Sequence, residues 1–72
     1  MVYYCRMVIT VNGSNMELAP GTTLAALLDE LGLSKARVAV EHNRRILAPE
    51  AYAGTVLGDG DVLEILSFVG GG

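Results

Sequence analysis

The sequence predicts a small α+β domain in which one helix lies across one face of a sheet built from two β-hairpins. Three observations predict it: β-branched runs that stop at an Asn-Gly or Asn-Arg pair, one leucine stripe at helical spacing, and a 72-residue length with room for a single core. Hydrophobic residues make up 51% of the chain and charged residues 18%, which sets it apart from disordered sequences. A chain of this length buries only about 60% of the surface its unfolded form exposes, so apolar packing has to supply the stability.

Met7-Val8-Ile9-Thr10-Val11 reads as the first strand and ends at Asn12-Gly13, a pair that accepts the positive φ of a tight turn. A return strand spans Asn15 to Leu18, and Pro20-Gly21 breaks it. Thr22 or Thr23 can cap the following helix, where Leu24, Leu27, Leu28 and Leu31 fall at i, i+3, i+4 and i+7. Gly32 can close that helix in the left-handed conformation, so the predicted helix runs from Leu24 to Leu31. Val38, Val40 and His42 then alternate with Ala39 and Glu41 as a third strand, with the valines facing the helix. Asn43-Arg44 turns the chain into Arg45-Ile46-Leu47, which Pro49 stops. Residues 49–53 read as a single helical turn or loop, with Tyr52 a plug for the core edge. Gly58-Asp59-Gly60-Asp61 makes a turn before Val62 to Phe68, the longest β-prone run. The chain divides into a single domain over residues 1–69 and a flexible Gly70-Gly71-Gly72 tail.

Several function classes are excluded or disfavoured by composition. Cys5 is the lone cysteine and His42 the lone histidine, so the chain cannot form an internal disulfide or a Cys/His metal cluster. A small packed residue at a strand start is the expectation for Cys5, because reactivity needs an electropositive setting. His42 is expected to pack, since no nucleophile accompanies it. Asp59 and Asp61 supply too few oxygens for a calcium loop and read as turn residues. The formal charge is −3, and Arg44-Arg45 is too small a basic patch for nucleic acid. No run approaches the roughly 18 apolar residues of a membrane span, and no signal-peptide pattern opens the chain. A cytoplasmic location, with no membrane and no bound cofactor, is the expectation.

The last strand carries an apolar surplus. Alternation sends Leu63 and Ile65 toward the helix, and Val62, Leu66 and Phe68 to the opposite face with Glu64 among them. A sheet covered on one face normally shows polar residues on the other. Either loops cover this second face, or Val62, Leu66, Phe68 and Val69 form a partner-binding patch that leads into the tail. The tail leaves a similar choice. Glycines lack side chains and can thread a channel too narrow for other residues, yet a glycine-rich terminus can equally be a frayed end.

Taken together, these segments resemble the β-grasp, ubiquitin-like sulfur carriers, and within them the ThiS family of thiamine (thiazole) biosynthesis. The resemblance spans residues 7–72. It rests on Val11-Asn12-Gly13, Thr22 to Leu28, Val38 to Asn43, and above all Gly58-Asp59-Gly60-Asp61-Val62-Leu63-Glu64-Ile65 running into Phe68-Val69-Gly70-Gly71-Gly72. It implies a mixed four- to five-stranded sheet and a carrier rather than an enzyme. In the family, an adenylating enzyme of the ThiF/MoeB type uses ATP to join the terminal carboxylate to AMP, and sulfur from a cysteine desulfurase persulfide then gives a thiocarboxylate. Carried over, the reacting group belongs to Gly72, with Gly70 and Gly71 threading the partner's active site. The sulfur would pass to a ThiG-type thiazole synthase. The alternatives are a MoaD-like molybdopterin sulfur carrier, disfavoured by the short approach to the last strand and the lack of a proline beside Phe68, and a β-grasp interaction domain whose glycines are incidental.

Overall fold

The computed structural model describes residues 6–33 and 37–68. The five strands are β1 (Met7–Val11), β2 (Ser14–Leu18), β3 (Arg37–His42), β4 (Arg45–Leu47) and β5 (Val62–Phe68). The helix α1 spans Leu24–Glu30, and a 3₁₀ turn spans Pro49–Gly54. The strands form one mixed sheet in the order β2-β1-β5-β3-β4. Both hairpins are antiparallel, and the central pair β1 and β5 runs parallel.

Local chemistry explains the corners. Asn12 and Gly13 take φ values of 50° and 84°, the two positive values of a tight hairpin turn. The second hairpin repeats the geometry with Asn43 at 48° and Arg44 at 71°, so an arginine occupies a left-handed position that glycine fills in the first. At the start of α1, Thr23 Oγ1 accepts from the Ala26 N–H at 3.1 Å, which settles the capping residue between the two threonines. The helix ends in a Schellman arrangement: Gly32, at φ 75°, donates to the Asp29 carbonyl, and Leu33 donates to the Leu28 carbonyl at 2.7 Å.

That ending changes the expected leucine stripe. Leu24, Leu27 and Leu28 are buried, but Leu31 is the C-cap and stays exposed, while Leu33, beyond the glycine, packs back on the core. The core under α1 combines these leucines with Met7, Ile9, Leu18, Val40, Leu57, Leu63 and Ile65. Tyr52 closes its edge as expected. Leu57 sits outside every regular element yet is 2% exposed. The segment 55–57 is held against the helix start by backbone hydrogen bonds from Leu24 to Thr55 and from Leu57 to Thr22, both 2.9 Å.

Candidate functional site

β5 lies at the centre of the sheet, and both hairpin turns hold it with an asparagine. At the first turn, the Asn12 N–H donates to the Leu63 carbonyl at 2.9 Å. Its side chain then continues the ladder: Oδ1 accepts from the Ile65 N–H at 2.7 Å and Nδ2 donates to the Ile65 carbonyl at 3.0 Å. At the second turn, Asn43 Oδ1 accepts from the Val62 N–H and the Asn43 N–H donates to the Val62 carbonyl, each at 2.8 Å.

The turn before β5 is fixed by two carboxylates. Asp59 Oδ1 accepts from the Val8 N–H at 2.8 Å and so ties the turn to β1. Asp61 accepts from the Gly58 N–H at 2.8 Å, from His42 Nε2 at 2.7 Å and from Asn43 Nδ2 at 3.1 Å. Burial pushes the Asp61 carboxyl up, but the hydrogen bonds from His42, Gly58 and Asn43 outweigh burial and hold it below the ordinary carboxylate range. The Gly58 to Asp61 segment is therefore a hydrogen-bonded turn, and His42 is a half-buried partner of Asp61. Among the described residues, no group of three or more His, Cys, Asp or Glu side chains could hold a metal ion.

With β5 fixed in this way, its two rows of side chains differ sharply. Leu63 and Ile65 are buried, whereas Val62, Leu66 and Phe68 are 45%, 64% and 56% exposed. Among the described residues, no loop covers the outer row. Strand register extends the patch sideways: Leu66 lies opposite Ala39 and Phe68 opposite Arg37 on β3, and Ile46 of β4, 81% exposed, lies opposite Glu41. Glu41 and Glu64 face each other across the two strands within this patch. Phe68 also borders an open groove between α1 and the 3₁₀ turn, lined by Leu28, Leu33, Val38 and Tyr52.

Three of the four expected partner-binding residues, Val62, Leu66 and Phe68, are thus brought onto one exposed face. Val69, the glycines 70, 71 and 72, and Cys5 lie outside the described residues. Asn12, Asn43 and Asp61 were legible only as turn formers; their grip on β5 depends on contacts up to 53 residues away.

The sequence pattern of the ThiS family matches residues 9–72. The sulfur carrier protein ThiS of Bacillus subtilis (strain 168) is 38% identical over 65 residues, covering 89% of this chain and 98% of that protein. A thiazole synthase of Paramagnetospirillum magneticum is 42% identical over 66 residues, or 92% of this chain, and the chain spans only 20% of that protein's length. The crystal structure of the thiamine biosynthesis protein ThiS from Geobacter metallireducens superimposes with a TM-score of 0.77 at 39% identity, covering 92% of this chain and all of that one.

Proposed function

The chain belongs to the ThiS family, and we propose that it is a sulfur carrier of thiamine biosynthesis, a protein cosubstrate whose Gly72 carboxylate is adenylated and then converted to a thiocarboxylate. The observation that carries this reading is the outer row of β5. Val62, Leu66 and Phe68 are exposed on the strand that leads directly into Val69-Gly70-Gly71-Gly72. A docking face and a side-chain-free tail on one rigid strand are what a carrier needs to place its terminus inside another protein.

The chemistry follows from the terminal group. A free α-carboxylate has a pKa of roughly 3.5 and is ionised at neutral pH, so its carbon is a poor electrophile. Attack of a carboxylate oxygen on the α-phosphorus of ATP forms the acyl-adenylate and releases pyrophosphate. A persulfide sulfur from the donor then attacks the acyl carbon and AMP leaves. Reductive cleavage of the acyl disulfide by a second thiol leaves the thiocarboxylate on Gly72. This chain contributes the acyl group and the docking surface, while the partners supply ATP, sulfur and catalysis. The partners in this reading are an adenylating enzyme, a sulfur donor such as a cysteine desulfurase, and a thiazole synthase as acceptor. The relative named thiazole synthase supports the last of these, since a fifth of its length matches this chain.

Ordering the tail in a partner channel costs about 1–2 kcal/mol per residue. Burying the outer apolar row against the partner offsets that cost at about 25 cal/mol per Å² of apolar surface.

Deleting the gene in its host tests the assignment. The deletion strain is expected to require thiamine, with growth restored by the wild-type chain and not by a chain lacking Gly72. A requirement for molybdenum cofactor alone would assign the carrier to the other pathway and contradict the proposal.

A further inference from the structure

On the β1 side of β5 the backbone groups are used in sequence and then run out. The Asp61 carbonyl accepts from Thr10, the Leu63 carbonyl accepts from Asn12, and both Ile65 groups bond to the Asn12 side chain. On the opposite side, Val62 bonds to Asn43, and the register with β3 continues through Glu64, Leu66 and Phe68. Strand alternation therefore directs the Ser67 N–H and carbonyl to the β1 side. That position is one step beyond Asn12, and β1 pairs with β5 only as far as Leu63. Ser67 is exposed, and no described residue pairs with its backbone there.

We propose that the open edge at Ser67 receives an extended backbone segment of the adenylating partner, which adds to the sheet directly beyond Asn12. This proposal rests on the carrier reading and names the way the partner grips the strand. The edge itself specifies the occupant: one N–H and one carbonyl at strand spacing are complemented by the backbone of an extended chain. Asn12 already shows the complement in miniature, because its side-chain amide satisfies Ile65 through the same pair of bonds. Its place next to the outer row, on the last described turn of strand before the tail, lets a single partner element hold β5 straight while the Leu66 and Phe68 side chains are buried. A tail anchored in this way leaves the sheet in a fixed direction, which a narrow channel requires.

Ser67→Pro tests the proposal, because proline removes the N–H on the open side and leaves the β3 pairing groups of Leu66 and Phe68 intact. The variant is expected to keep the wild-type fold by NMR and to bind the host's adenylating enzyme about tenfold more weakly, the order of one backbone hydrogen bond. Ser67→Ala, which keeps the N–H, is expected to bind like wild type. Wild-type binding by a folded Ser67→Pro overturns the proposal. In wild-type protein, the Ser67 amide is expected to exchange rapidly when free and at least tenfold more slowly in the complex; unchanged exchange overturns the proposal whether or not the proline variant folds. Protection that appears at high concentration without the enzyme means that a second copy occupies the edge, and also overturns it. If the wild-type chain is not adenylated at all, the carrier reading itself fails, a result distinct from each of these.

Discussion

The inner and outer rows of β5 are made from the same kinds of residue and have opposite surroundings. Leu63 and Ile65 lie under α1 at 0% and 7% exposure, whereas Leu66 and Phe68 on the other face remain 64% and 56% exposed. The inner row is spent on folding: it completes the core with Leu24, Leu27 and Val40. The outer row contributes little to that core, and polar residues would serve a solvated face equally well. Hydrophobicity alone therefore does not separate a structural residue from a docking residue on this strand. What separates them is whether a described element of the chain covers them.

Substitutions in the two rows should break this comparison if it is wrong. The largest effect is expected at Leu63, where Leu63→Ala removes a fully buried side chain and should cost about 3 kcal/mol of stability, read from urea unfolding. In a domain of this size, that loss is a large share of the total. Next comes Asn12→Ala, which leaves the Ile65 N–H and carbonyl without their side-chain partners and is expected to cost about 1–2 kcal/mol by the same measurement. A smaller and pH-dependent effect belongs to Asp61. Its carboxyl is depressed in the folded state, so its contribution is fully present above the usual carboxylate value of 3.8 and is lost as pH falls through the lower folded-state value. Urea midpoints compared at neutral and strongly acidic pH should fall further for wild type than for Asp61→Asn. The smallest stability effect is expected in the outer row: Leu66→Ser should change stability by no more than about 0.5 kcal/mol while weakening binding to the adenylating enzyme. A loss at Leu66 comparable to that at Leu63 would erase the distinction between the rows.

Much of the fold was legible because local signals agree with it. The bounds of β1, β4 and β5 follow directly from β-branched runs and their flanking turn residues, and Gly32 marks the helix end by its left-handed conformation. The misplacement of Leu31 comes from counting helical period through the cap: the Schellman ending takes it out of the stripe and gives its place to Leu33. Leu57 left no periodic signal, since its segment is held in place by one backbone hydrogen bond from Leu57 to Thr22 and one from Leu24 to Thr55, and not by membership of a helix or strand. The clamps at Asn12 and Asn43 were hidden for a different reason. Each asparagine suits its turn locally, and its second role is visible only when a strand distant in sequence lies beside it. The candidate docking face was legible from strand alternation, while its lateral extension to Ala39 and Ile46 required the register of β3 and β4.

As a carrier, this chain would use the outer β5 row to deliver Gly72 for activation. Intact mass measurement after incubation with the host's adenylating enzyme, ATP, a cysteine desulfurase, cysteine and a reducing thiol tests this role most directly. Exchange of one terminal oxygen for sulfur is expected in the wild-type chain, with slower exchange in Phe68→Asp with the fold retained, and none in a chain lacking Gly72. A wild-type chain that stays unmodified, or sulfur that is incorporated equally well without Gly72, would contradict it.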